Sequence, residues 1–189
     1  MARSPMMRDR VSASILDAAA TLLAEEGDSA SMAQIAASAG VGRATLYRYF
    51  PTREALVRGL SSAAIDDLAG RIDAAALDQV PVREAVARTV RAFVTAGATW
   101  AALARIGRED WKDPVDLETR VVTPVRALLE RGVADGTLRR DLPAQAVVTL
   151  FTGMLELGLR LVLEQGLGVE DASATTTALF LDGAAAQES

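Results

Sequence analysis

AGVGRATLYRYFPTREALV, residues 39–57, is the stretch whose reading decides the fold. Leu46 and Phe50 stand four apart, so a helix that starts after Gly42 turns both to one side. Gly42 serves as its N-cap. Pro51 disfavours helical geometry at Phe50 and ends the helix there. With Leu46 and Phe50 inward, Arg43, Ala44, Tyr47 and Arg48 turn outward, and Thr45 and Tyr49 lie on the flanks. Such a face is poor for packing and good for DNA. Arginine can bond O6 and N7 of guanine in the major groove. Tyrosine and threonine hydroxyls suit phosphate oxygens. Small Gly42 and Ala44 let the backbone come close. Arg53 then opens the next helix, where a positive charge opposes the helix dipole unless a phosphate lies in front of it.

The flanking sequence supplies a frame for this helix. Residues 9–26 carry Val11, Ile15, Ala18, Ala19, Leu22 and Leu23 at helical spacing, with Gly27 as the stop. Ser31 and Gln34 form a capping box that starts a second helix, which Gly40 ends. Thr52 caps a fourth helix through Leu56, Leu60, Ile65 and Leu68. Short helices around a tight AGVG turn, followed by a long helix, are the plan of a helix-turn-helix module.

Composition sets the class. Half of the 189 residues are apolar, only 4% are aromatic, and strand signals are nearly absent, so the chain reads as all-α. There is no cysteine and no histidine. That removes disulfides, thiol chemistry, the commonest general base and the commonest neutral metal ligand. No cofactor, no metal and no enzyme activity are expected. The net charge is −5, yet residues 1–60 hold seven arginines against six carboxylates. The remainder holds thirteen basic and nineteen acidic residues. The whole-chain charge argues against a nucleic-acid partner, but the local balance in residues 1–60 does not.

The C-terminal part reads as further helices: 82–100, an ambiguous 101–112, one from Pro114 that Pro124 kinks or breaks before Gly136, one from Pro143 to Gln165, and one over 169–185. Segment 144–166 approaches the length of a membrane span, but Glu156 and Arg160 lie inside it and can pair across one turn. It is expected to be a buried or interface helix, with no membrane partner. The charged N-terminus does not read as a signal peptide, which points to the cytoplasm. Phe93, Trp100, Trp111, Phe151 and Met154, with Arg105 and Arg108, suggest a pocket for an aromatic or anionic compound, although each aromatic or methionine taken alone is more often a core residue. Gly153 and Gly158 are read either as tolerated glycines or as points of close helix approach.

Ile35 and Ala36, AGV at 39–41, TLYRYF at 45–50 and REAL at 53–56 together resemble the DNA-binding domain of TetR-type transcriptional regulators, over about residues 8–60. The resemblance implies a three-helix DNA-binding domain, 1–52, and a helical ligand-binding and dimerisation domain, 53–189, with about nine helices in all. It implies phosphate contacts for Ser31, Thr45, Tyr47, Tyr49 and Arg53, and positions nearest the bases for Arg43, Ala44 and Arg48. It implies a homodimer through the last two helices, with Gly153, Leu157, Gly158, Leu161, Phe180 and Leu181 at the interface. It also implies a palindromic double-stranded operator and release by a small-molecule effector. Three residues depart from the family's habit: Gly42 where serine is common, Tyr49 where histidine is common, and Arg53 where lysine is common. The competing expectation is a helical ligand-binding or protein-interaction module that does not read DNA.

Overall fold

A computed structural model describes residues 5–101 and 114–184. Among them the chain is helical, with no strand. The elements are α1 (Pro5–Glu26), α2 (Met32–Ser38), α3 (Arg43–Tyr49), α4 (Arg53–Ala74), α5 (Val82–Thr99), α6, α7 (Ala144–Gln165) and α8 (Val169–Ala184). Helix α6 is a composite: Pro114–Leu117, a π-helical turn at Glu118–Val122, then Thr123–Asp135. These are eight helices among the described residues, against about nine expected; most of the ambiguous 101–112 lies outside them.

The described residues fall into two compact units. The first runs through Ala64 and includes Trp100 and Ala101; the second holds Ile65–Thr99 and residues 114–184. A boundary at 52/53 was expected. It lies instead within α4, because Leu56, Leu60 and Ala64 are buried in the first core. Ala69 and Ile72, further along the same helix, are buried in the second.

The first core joins Ile15, Ala19 and Leu23 of α1, Ile35 and Ala36 of α2, Leu46 of α3 and Leu56 of α4. These are the apolar positions that the helical spacing selects. Gly27 and Gly40 take positive φ of 61° and 66°, which lets the chain leave α1 and α2 without a Cβ penalty. Gly59 makes room for Phe50: a Cβ there would lie 2.7 Å from the Phe50 ring.

The second core is built where α5, α7 and α8 pack together, with α6 against α5 and α7. Phe151 and Phe180 meet with ring centroids 4.6 Å apart. Gly158 allows α7 and α8 to touch, since a methyl there would overlap the Thr176 hydroxyl. The amide of Arg139 donates to the Ala184 carbonyl at 2.8 Å, tying the end of α8 to the segment before α7. Arg88 donates to the Ala75 carbonyl, and Arg131 to the Leu77 and Val80 carbonyls, so two guanidinium groups hold the turn after α4. That turn contains Ala76 at φ 47°, a left-handed position where glycine is usual.

Pro124 does not break α6. Proline has no N–H and its ring crowds the carbonyl four residues back. The helix widens just before it, so that the Thr123 amide reaches the Glu118 carbonyl, an i→i−5 bond. Arg120, on this widened turn, is held by Asp116 and by Asp66 of α4, and these two carboxylates raise its pKa.

Helix α7 is long and apolar enough, by length and composition, to cross a membrane. One of its faces, Val147, Phe151, Leu155 and Gly158, is packed into the second core. Arg160 holds Glu164, four residues on, through two bonds of 3.0 Å each; the sequence had suggested Glu156 as its partner.

Candidate nucleic-acid interface

Helix α3 is seven residues long and cannot stand alone. Leu46, fully buried, and Phe50, at the C-cap, fasten it to the first core. Gly42 is the N-cap, in extended geometry. With that face fixed, the other is determined: Gly42, Arg43, Ala44, Tyr47 and Arg48 are exposed, and Thr45 and Tyr49 are half-buried. This is the division that the sequence predicted. Tyr47 is 48% exposed, a large apolar ring left in solvent. Tyr49 rests against the core, and the Arg48 guanidinium lies 5.4 Å from its ring centroid. Among the described residues, no carboxylate or carbonyl neutralises Arg43 or Arg48. Two free guanidinium groups on a rigid, exposed helix form an anion-seeking surface.

Around α3, the start of α2 is tightly organised. The Ser31 amide donates to Gln34 Oε1 at 2.8 Å, and the Gln34 amide donates to Ser31 Oγ at 3.2 Å. Ser31 Oγ also donates to Gln34 Oε1, and Gln34 Nε2 donates to Glu26 at 3.1 Å. Ser31 is exposed, with its hydroxyl engaged in the cap. Arg53 is half-buried, and its guanidinium reaches back to the turn before α2. Nη1 donates to the Ala30 carbonyl, and Nη2 lies 3.4 Å from the Asp28 carbonyl and 3.5 Å from its carboxylate. At the start of α4 the Ala55 amide donates to Thr52 Oγ1 at 3.1 Å. Hydrogen bonding from Thr52, and then from the backbone, holds the Glu54 carboxyl below its usual range.

Of the expected pocket residues, Phe93, Phe151 and Met154 belong to the second core. Phe151 is fully buried against Phe180, and Phe93 and Met154 pack on the rim of the second core. Trp100 packs against the first core. Arg105, Arg108 and Trp111 lie outside the described residues. The second unit carries two open grooves. One, of about 350 Å³, lies between the end of α4 and α6, along Ile72, Ala76, Pro124, Leu128 and Arg131. The other, of about 360 Å³, runs between α7 and α8 and includes Met154, Leu157, Leu161 and Leu179.

The expected interface residues divide in two. Phe180 and Leu181 are buried within the chain's own core, because α8 turns them toward α5 and α7. The close approach at Gly158 is to Thr176 of the same chain. Leu157 is 57% exposed, Leu161 is half-buried, and open space surrounds a Cβ at Gly153. Sequence reasoning missed Leu150 and Leu179, which are 63% and 64% exposed. Their signal was present, since Leu150 lies one helical face with Gly153 and Leu157.

A short exposed helix bearing free arginines, seated by a turn on two supporting helices, defines a helix-turn-helix DNA-binding regulator. Comparison with known proteins agrees. Residues 15–60 match the family model described as bacterial regulatory proteins, tetR family. The HTH-type transcriptional repressor KstR2 of Rhodococcus jostii is 30% identical over 141 residues, 69% of either chain. The HTH-type transcriptional repressor LfrR of Mycolicibacterium smegmatis is 39% identical over 90 residues, so the match spans 48% of this chain and about half, 47%, of LfrR. The crystal structure of LfrR from Mycobacterium smegmatis in complex with proflavine superposes with a TM-score of 0.74 at 24% identity, covering 95% of this chain and 99% of that one. The chain belongs to the TetR family of transcriptional regulators.

Proposed function

We propose that the protein is a homodimeric transcriptional repressor that binds a palindromic operator and leaves it when a small molecule binds the second unit. The observation that carries this reading is the outward face of α3, with Arg43 and Arg48 unneutralised. Arg43, Ala44 and Arg48 meet base edges. Ser31, Thr45, Tyr47, Tyr49 and Arg53 meet phosphates. One three-helix module offers few contacts. Two held about 34–36 Å apart meet successive major grooves on one side of B-DNA. The exposed leucines of α7 and α8, Leu150, Leu157 and Leu179, supply the surface through which two copies join. The protein works in the cytoplasm, where its operator is.

Helix α4 is common to both units, so it is the element through which an effector acts on the DNA module. A coupling of roughly 1–3 kcal/mol weakens DNA binding about 5–150-fold, enough for release. Named relatives support the reading: KstR2 and LfrR are repressors, and LfrR was crystallised in complex with proflavine. The effector is accordingly a small molecule with an apolar body, and Phe93 and Met154 are the described residues assigned to it.

The test is affinity selection of genomic DNA fragments at near-physiological salt, with a Tyr47→Ala/Arg48→Ala double variant as the control. Enrichment of a palindrome by the wild type alone is the expected result. Enrichment of nothing by the wild type, before and after unfolding and refolding to strip a bound effector, sinks the reading.

A further inference from the structure

We propose that Arg53 is a positioning residue: its guanidinium fork clamps the turn at residues 28–30 and so sets the start of α2, a task that lysine's charge alone cannot perform. This deepens the DNA-binding reading, on which its functional half rests. Arg53 occupies the first turn of α4, where a cation is unfavourable to the helix dipole. In the structure it points back across the module. Nη1 donates to the Ala30 carbonyl, and Nη2 faces the Asp28 carbonyl. Both carbonyls belong to the turn that leads into Ser31, the N-cap of α2.

The other side of the same turn is held independently. Gln34 reaches Glu26 at the end of α1, and Ser31 and Gln34 close the capping box. Ala30 is buried, so its carbonyl has little water to turn to if the fork withdraws. The turn is thus pinned from α1 by an amide and from α4 by a cation. Arginine has five N–H donors in a fixed plane. Two nitrogens can hold separate carbonyls while other N–H groups still face outward toward a phosphate. Lysine's three donors all spring from one nitrogen, so it cannot span the two separate carbonyls and a phosphate as the planar fork does.

The Asp28 carboxylate adds little to the clamp. Its distance from Nη2, 3.5 Å, is hardly longer than that of the Asp28 carbonyl, but its side chain is 92% exposed, so water screens the charge. The clamp is therefore a carbonyl clamp, and this separates it from an ordinary surface ion pair.

Three variants test it in the full chain: Arg53→Lys, Arg53→Ala and Asp28→Asn. Two readouts are taken, amide hydrogen exchange over residues 30–34 without DNA, and affinity for a duplex carrying the selected operator across a salt series. Arg53→Lys should speed exchange at these amides and weaken DNA binding by about tenfold, one charge-assisted hydrogen bond's worth. Its salt slope should stay that of the wild type. Arg53→Ala should also lower the slope by about 0.9 per protomer, the share of one phosphate. Asp28→Asn should leave exchange unchanged. Arg53→Lys with wild-type exchange overturns the proposal, whatever its affinity, and so does faster exchange with wild-type affinity. Faster exchange in Asp28→Asn overturns the carbonyl clamp in favour of the ion pair. Absence of salt-sensitive binding by the wild type counts against the DNA-binding reading instead, and the exchange comparison still reads the clamp.

Discussion

Arg48 and Arg53 are both arginines of one short module, yet their surroundings differ. Arg48 is exposed on α3 beside the Tyr49 ring, with no carboxylate partner among the described residues. Arg48→Ala should flatten base preference at one or two operator positions, by about 1–3 kcal/mol each. Competition with single-base operator variants reads this, and uniform loss on all sequences would contradict it. Glycine 158 shows the same dependence on surroundings. It faces the buried Thr176 hydroxyl, which is itself bonded to the Ala172 carbonyl. Gly158→Ala should lower stability by roughly 1–3 kcal/mol through overpacking. Thr176→Ala in the same chain should recover part of that in a thermal melt. Gly97 meets only the tip of half-buried Leu159, which can move, so Gly97→Ala should be milder.

At the scale of the element, helix ends and turns follow local chemistry closely. The capping box at Ser31 and the stop at Gly40 stand where the sequence placed them. Ser31→Ala should cost about 1 kcal/mol and loosen α2 first, visible as faster amide exchange there before global unfolding. The turn after α4 holds a left-handed Ala76. Ala76→Gly should raise the melting temperature by a degree or more, because the relieved backbone strain exceeds glycine's entropic cost. A drop would mean that the Ala76 methyl packs usefully. What the sequence hid at this scale has physical causes. Pro124 could be read as a break or a kink, but not as a π turn, because that outcome depends on neighbours that hold α6 in place. Phe180 and Leu181 could be read as apolar, but the partner of an apolar face is a tertiary fact. The outward face of α3 was legible because Leu46 and Phe50 left it no other orientation.

For the whole molecule, the balance of charge matters more than any one contact. With no histidine, nothing among the side chains titrates near neutrality in its ordinary state. Stability and DNA affinity should be flat between about pH 5.5 and 7.5. The shifted carboxyls, Glu54, Asp135, Asp141 and Glu164, are all lowered, the first two mainly by hydrogen bonds from Thr52 and Thr137, the others by Arg139 and Arg160. A lowered folded pKa means stability that is present above the unfolded value and lost as pH falls through the folded one. Stability should therefore begin to fall below about pH 4, and a melting-temperature series against pH checks this. Replacing Leu157 and Leu179 with Asp should give a monomer by light scattering, with operator affinity down roughly a hundredfold as avidity is lost. A dimer that survives both changes would place the joint elsewhere.

Helix α4 serves two cores with one unbroken winding: Leu56, Leu60 and Ala64 in the first, Ala69 and Ile72 in the second. One inserted residue midway would advance everything after it by about 100° and 1.5 Å. The second stripe would then be turned by that angle relative to the first, so the residue count of α4 sets the angle between its two buried stripes. Over evolutionary time, gains and losses of residues should fall in segments 75–81 and 136–143, leaving the span from Arg53 to Ala74 constant in length.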